Sequence, residues 1–194
     1  MAITTDVIKT LRDKTGVSIM QCKKALEEAG GDIEKAKVIL RKISATIASK
    51  KADRTLGAGT VAAYTHAGGA VAGVVVLACE TDFVSKNEGF IKLAYDIAMH
   101  VAAMAPQFRT KEDVRDADVK AAREVFEKEA ANVPDGMRQK VIDGKLDSYL
   151  KDKVLLEQPF VKDQAQTVRQ LIESAVQKFG EKIEVVRFER LSVK

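Results

Sequence analysis

The fold of this chain is decided by ten residues near its middle, Leu77-Ala78-Cys79-Glu80-Thr81-Asp82-Phe83-Val84-Ser85-Lys86. They join an apolar run that is typical of a β-strand to a polar turn. The turn carries one acid, Asp82, and one large aromatic, Phe83. Ser85 with Glu88 three residues later is the pattern of a capping box, which predicts that a helix begins there. The stretch therefore predicts a corner between a strand and a helix.

The local pattern leaves two interpretations of this corner open. In one, Asp82 assists the start of the helix and Phe83 belongs to the hydrophobic core. In the other, both side chains project outwards from a backbone that the strand and the helix hold in place. A projecting side chain is then positioned at little further cost in entropy.

The composition of the chain is that of a soluble globular protein. Of its 194 residues 46% are hydrophobic and 31% are charged, and the net charge is +4. We expect a cytoplasmic protein, because no apolar run approaches the roughly 20 residues of a membrane span and the first residues do not resemble a secretory signal. Cys22 and Cys79 lie far apart and are expected to be reduced.

The first 45 residues predict a compact module of three short helices. Thr4-Thr5-Asp6 can cap the first helix, Ser18 with Gln21 has the pattern of a capping box before the second, and Asp32 can cap the third. Gly30-Gly31 ends the second helix. The pattern is that of a ubiquitin-associated (UBA-like) bundle, which usually binds a partner. A basic connector, residues 46–57, follows it.

Residues 58–194 predict an α+β core domain. Two strands, Gly59 to His66 and Val71 to Cys79, flank a glycine turn and form a hairpin. The second strand is apolar on both faces, so both faces are expected to be covered. Several helices are predicted to follow, and the pattern from Ile183 to Phe188 predicts a last strand. The overall prediction is α+β: a three-helix bundle, then a small antiparallel sheet packed with helices.

We find no pattern typical of an enzyme, a metal site or a cofactor site. A phosphate-binding glycine loop is absent from the sequence. In the predicted hairpin, Cys79 and His66 lie at opposite ends, roughly 25 Å apart, too far for a catalytic pair. His100 borders the apolar face of a helix, which favours a place at the edge of the core, with a partner contact as the alternative.

Five short strings, in the same order along the chain, resemble the elongation factor Ts family, the guanine-nucleotide exchange factors of elongation factor Tu. The first lies in the N-terminal module and consists of Leu11-Arg12, Thr15-Gly16, Cys22-Lys23-Lys24-Ala25-Leu26 and Gly31-Asp32. The others are Thr81-Asp82-Phe83-Val84, Ile97-Ala98-Met99-His100-Val101-Ala102-Ala103, Gln158-Pro159-Phe160-Val161 and Val186-Arg187-Phe188. The resemblance implies a protein that binds elongation factor Tu carrying GDP and promotes GDP release during translation elongation, without binding nucleotide itself.

The resemblance also implies roles for individual residues. Thr81, Asp82, Phe83 and Val84 would form the exchange motif, with Asp82 and Phe83 wedged near the site of Mg²⁺ and phosphate in the partner.

Three residues of the N-terminal module would contact the GTPase domain of elongation factor Tu: Arg12, Ile19 and Met20. His100 would contact another domain of elongation factor Tu. For Ile19, Met20 and His100, burial in the core is the alternative.

The chain departs from the family where Val76 and Ala78 replace an acid and an asparagine, which puts polar contacts from the strand in doubt. Short members of the family resemble half of a duplicated core, so a homodimer joined through the sheet is expected. Two alternatives remain open: a basic RNA-binding accessory protein of translation, which would leave Phe83 without a role, and a scaffolding partner that does not alter nucleotide release.

Overall fold

The computed structural model describes residues 3–193, apart from the side chain of residue 67. Its N-terminal part is a bundle of three helices: α1 (Thr5–Thr15), α2 (Ile19–Glu28) and α3 (Ile33–Ser49). The predicted N-caps are confirmed, because Thr4, Ser18 and Asp32 each accept a backbone N–H of the helix that follows. The bundle has its own small core, made of Leu11, Val17, Cys22, Ala25, Leu26, Ala36 and Leu40.

Helix α3 attaches this bundle to the rest of the chain. It runs four residues beyond the predicted end of the module at residue 45 and packs against helix α8 (Val168–Phe179). At this contact Ser44 is buried and hydrogen-bonds to Gln177 of α8. The bundle therefore docks on the core, and the division into residues 1–45, 46–57 and 58–194 stays a prediction.

A three-stranded antiparallel sheet forms the centre of the core domain. Strand β2 (Val71–Cys79) lies between β1 (Ala58–His66) and β5 (Ile183–Ser192). The register pairs Ala58 with Cys79 and His66 with Val71, which confirms the predicted hairpin and places Cys79 and His66 at opposite ends.

Helix α5 (Glu88–Met104) covers one face of this sheet. The helix approaches so closely at Gly73 that a Cβ atom there would lie 2.2 Å from the carbonyl oxygen of Ala98. The prediction that both faces of β2 are covered holds on this side. On the other side Val74 and Val76 are half-buried, and Val61 on β1 is 66% exposed.

Two further helices, α6 (Asp116–Glu129) and α7 (Asp135–Lys153), form a hairpin of their own. Phe126 and Tyr149 contact each other edge to face across it. A short hairpin of β3 (Pro159–Phe160) and β4 (Asp163–Thr167), which the sequence did not predict, precedes α8. The α+β class is confirmed, and none of the helices in residues 3–193 is long and apolar enough to cross a membrane.

Candidate functional site

The corner after β2 contains a single helical turn, α4 (Asp82–Ser85), before α5 begins. The predicted capping box is wrong. Ser85 lies inside α4, where its hydroxyl donates to the carbonyl of Asp82 at 3.1 Å. Asn87 caps α5 instead, because its side-chain oxygen accepts the backbone N–H of Gly89 at 2.9 Å, and asparagine is a preferred N-cap. The extra turn therefore separates the end of β2 from the start of α5.

Neighbouring residues of α4 point in opposite directions. Phe83 is 83% exposed, the largest exposed fraction among the large hydrophobic residues described, whereas Val84 is 4% exposed and packs into the main core. The interpretation that Phe83 belongs to the core is therefore wrong. An aromatic side chain held in water beside a buried anchor is available to contact a partner, and aromatic residues are among the strongest anchors of interfaces.

Asp82 is exposed next to Phe83 and pairs with Lys86 one turn further on. Its carboxylate lies 2.6 Å from the Lys86 ammonium. The hydrogen bond from Lys86, together with the positive charge of that residue, lowers the pKa of Asp82 below its usual value. Asp82 therefore stays negatively charged at neutral pH, and the tip of the corner presents one aromatic ring and one acid.

Residues from a distant turn hold the backbone just ahead of this tip. Glu181, in the turn between α8 and β5, accepts the backbone N–H groups of Glu80 and Thr81 at 3.1 and 3.0 Å and the Thr81 hydroxyl at 2.6 Å. In return, the Glu80 carboxylate accepts the N–H of Lys182 at 2.6 Å and an N–H of Arg54 at 3.2 Å. These two bonds lower the pKa of Glu80, the one from Lys182 more strongly.

Sequence reasoning missed Glu181 because about 100 residues separate it from the corner, and an acid after a helix-ending glycine is an ordinary turn pattern. Thr81, which the sequence assigned to the exchange motif, uses its hydroxyl for this bond instead of capping α4. Cys79, at the end of β2, donates its thiol to the carbonyl of Thr81 at 3.2 Å. Burial raises the pKa of this thiol, which keeps it protonated and unreactive.

The three residues predicted in the N-terminal module are all exposed. Ile19 and Met20 form the first turn of α2 and are 56% and 70% exposed, so burial in the core is wrong for both. Arg12 lies in the last turn of α1 and is exposed as well. Among the described residues, no hydrogen bond or ion pair joins these three to the corner at residues 80–86.

His100 is fully buried. Its Nδ1 accepts the backbone N–H of Val161 at 3.1 Å, so its Nε2 carries the proton and donates to Gln158 Oε1 at 2.9 Å. Burial lowers the pKa of His100, which favours the neutral ring.

The imidazole thus fastens the β3–β4 hairpin to α5. A contact between this side chain and a partner would require the hairpin to move, and that role stays a prediction.

The described residues offer no evident place for a metal or a catalytic pair. In residues 3–193 no group of three His, Cys, Asp or Glu side chains is arranged to hold a metal ion. A pocket of about 380 Å³ lies where α3, α8 and β5 meet, but none of the residues from 79 to 86 lines it. The groups that the corner itself exposes are the phenyl ring of Phe83 and the carboxylate of Asp82 paired with Lys86.

Comparison with known proteins places the sequence of this chain in one family. The family model described as elongation factor TS matches residues 1–194. The elongation factor Ts of Koribacter versatilis is 45% identical over 195 residues, which cover 100% of this chain and 89% of that protein. Its counterparts in Coprothermobacter proteolyticus and Thermotoga petrophila are both 42% identical; the matches cover 98% and 100% of this chain and 98% and 97% of those proteins. This chain belongs to the elongation factor Ts family.

Proposed function

We propose that this protein is the guanine-nucleotide exchange factor of elongation factor Tu, and that Phe83 is the wedge that promotes GDP release. The observation that carries the proposal is the contrast between Phe83, 83% exposed, and Val84, 4% exposed, on one helical turn. The buried residue anchors the turn, and the exposed one is free to insert into a partner.

An exchange factor must bind the nucleotide-free partner more tightly than the GDP-bound partner. Linkage then requires that the factor weakens GDP binding by the same ratio, at about 1.4 kcal/mol for each factor of ten. A buried aromatic side chain at the centre of an interface supplies energies of this size. Asp82, charged and adjacent, adds repulsion towards the phosphates of GDP and attraction towards their Mg²⁺, so it disturbs the balance at that site.

The exposed residues of the N-terminal module provide a second contact in this proposal. Ile19 and Met20 present apolar area on the first turn of a UBA-like helix pair, and Arg12 adds a positive charge nearby. This contact would supply affinity for elongation factor Tu in either nucleotide state, while the corner supplies the difference between the states. The His100 side chain would act indirectly, by holding the hairpin that meets another part of the partner.

The protein would act in the cytoplasm, where elongation takes place, without catalysing a chemical step and without a cofactor or bound nucleotide of its own. GDP would leave from, and the next nucleotide would enter, the partner's own site. The corner supports this proposal because its exposed groups are a phenyl ring and an acid paired with a lysine.

We also propose that two copies associate through the open face of the sheet. Val61 and Leu191 are 66% and 62% exposed on this face, next to the half-buried Val74 and Val76. The ion pair of Arg187 and Glu189 lies on the same face, and exposed apolar area beside paired charges is compatible with a subunit interface. Sedimentation should show a dimer that the change Leu191→Lys dissociates, while Met137→Lys, at a residue 59% exposed on α7, should not. A monomeric wild-type protein would refute the dimer and leave the exchange function intact.

Stopped-flow release of a fluorescent GDP from elongation factor Tu tests the exchange function. The wild-type protein should accelerate release strongly, and Phe83→Ala should lose most of the acceleration. Val125→Ala, which removes an apolar side chain 52% exposed on α6, is the matched control and should behave like the wild type. No acceleration by the wild type would overturn the proposed function. Acceleration that survives Phe83→Ala would keep the function and refute the wedge.

A further inference from the structure

Two turns that are distant in the sequence exchange hydrogen bonds directly beneath the exposed corner. Residues 80 and 81 follow β2, and residues 181 and 182 precede β5. The carboxylate of Glu181 takes three hydrogen bonds from Glu80 and Thr81, and the carboxylate of Glu80 takes one from Lys182. Each turn thus satisfies backbone donors of the other, and charged acceptors make such bonds stronger than neutral ones.

The position of Glu181 is itself fixed. Gly180 ends α8 in the left-handed conformation, with φ of 75°, and its carbonyl accepts the Lys51 ammonium at 2.8 Å. On the other side, Arg54 pairs with Glu80. Lys51 and Arg54 both belong to the basic connector, residues 46–57. The connector therefore contacts the turn that carries Glu181 and the turn that carries Glu80.

The bonds fall on the chain immediately before Asp82. Neither Glu80 N–H nor Thr81 N–H belongs to the α4 helix, so without Glu181 both donors would be left to water. The Thr81 hydroxyl makes no capping bond to α4. Loss of the Glu181 carboxylate would therefore leave the backbone of residues 80 and 81, just before α4, without these hydrogen bonds. The direction in which Phe83 projects would then be less fixed.

We propose that Glu181 is a positioning residue for nucleotide exchange: it holds the backbone before α4 so that Phe83 is presented in one fixed direction. The inference rests on the proposed wedge function of Phe83. An ordered wedge binds more effectively than a mobile one because less conformational entropy is lost when it inserts.

The first test examines the free protein and needs no partner. Amide hydrogen exchange, followed by NMR, should show protected N–H groups at residues 80 and 81 in the wild type. In Glu181→Ala both should exchange at least tenfold faster, while the amides of β2 and α5 stay unchanged. In Glu181→Gln the side-chain oxygen still accepts both N–H groups, so protection should largely return. Unchanged protection in Glu181→Ala would overturn the proposal.

The second test measures GDP release from elongation factor Tu as a function of exchange-factor concentration. Glu181→Ala should lower the maximal release rate about tenfold and change the half-saturating concentration less than twofold, because the N-terminal contacts remain. Glu181→Gln should stay within threefold of the wild type. Glu124→Ala, which removes an exposed acid from α6, is the matched charge control and should have no effect.

The decisive comparison is made in the Phe83→Ala background. If Glu181 acts by positioning Phe83, adding Glu181→Ala to Phe83→Ala should lower the release rate no further. A further tenfold loss in that background would show an independent role and overturn the proposal, as would a Gln variant as impaired as the Ala variant. If the wild type itself fails to accelerate release, both this inference and the exchange function fall.

A second variant covers the case in which Glu181→Ala does not fold. Thr81→Val removes only the hydroxyl bond and keeps the size of the side chain. It should reduce the maximal rate about threefold in the wild-type background and not at all in the Phe83→Ala background. Equal losses in the two backgrounds would overturn the proposal.

Discussion

Phe83 and Val84 are adjacent residues for which the structure predicts opposite consequences of the same change to alanine. Phe83→Ala should leave the free energy of unfolding within about 0.5 kcal/mol of the wild type, because an exposed side chain contributes little to folding. Val84→Ala should lower it by about 2 kcal/mol, since two methyl groups leave the core and a cavity remains.

The effect of Phe83→Ala on exchange can be worked out from its exposure. A phenylalanine that is 83% exposed has about 150 Å² left to bury, which corresponds to about 4 kcal/mol at 25 cal/mol per Å². Part of this energy offsets the cost of ordering the interface. We expect a loss of about 2–3 kcal/mol, or roughly 30- to 150-fold, in the apparent second-order rate constant of GDP release.

The assay combines urea unfolding, followed by circular dichroism, with stopped-flow GDP release for both variants. Where it is folded, Val84→Ala should lose much less GDP-release activity than Phe83→Ala, because it loosens the anchor of α4 but leaves the phenyl ring of Phe83 in place. The reasoning would be refuted if Phe83→Ala lost stability as Val84→Ala does, since Phe83 would then belong to the core. It would equally be refuted if the two variants lost exchange activity to the same extent.

Two further predictions concern the packing of α5. Gly73→Ala should lower the free energy of unfolding by about 2 kcal/mol or more, because its Cβ would meet the backbone of α5. Gly144→Ala, with open space around the new Cβ, is the control and should be neutral or stabilising in urea unfolding. Equal effects of the two changes would contradict the close approach of α5 to Gly73. Burial lowers the pKa of His100 below its usual 6.5, so the unfolded chain binds the proton first and stability should be lost as pH falls from about 6.5 to the lower folded pKa. Unfolding of His100→Gln should show a smaller loss over this range, and parallel pH profiles would contradict the buried neutral ring.

Much of the fold could be predicted because its determinants are local. The N-caps Thr4, Ser18 and Asp32 precede apolar periodicity at the distances that helices require. The glycine turn between β1 and β2 also fixes their register, so the two ends of the hairpin follow from counting residues. The short β3–β4 hairpin escaped prediction, because Pro159 and Phe160 contribute only two residues and depend on buried His100 and Gln158 for support.

The candidate site was predictable only in part. The string from Thr81 to Val84 could be matched to a family, but the local pattern did not show which side chains are exposed. A helix was expected to begin at Ser85, and that prediction allowed Phe83 to lie in the core. The direction of each side chain depends on where the helical turn begins. Because Asn87 caps α5, that helix begins at Glu88 and not at Ser85.

The exposure of Phe83 and the bonds made by Glu181 are two parts of one physical arrangement. An exposed aromatic ring gains nothing from the core that would fix its direction, so the backbone beneath it must be held by other means. Helix α4 has only four residues and is too short to be stable alone. The carboxylate of Glu181 fixes the entry to α4, and Val84 fixes its inner side. Phe83 can therefore be held in one direction and exposed at once, which a ring packed into its own protein could not be.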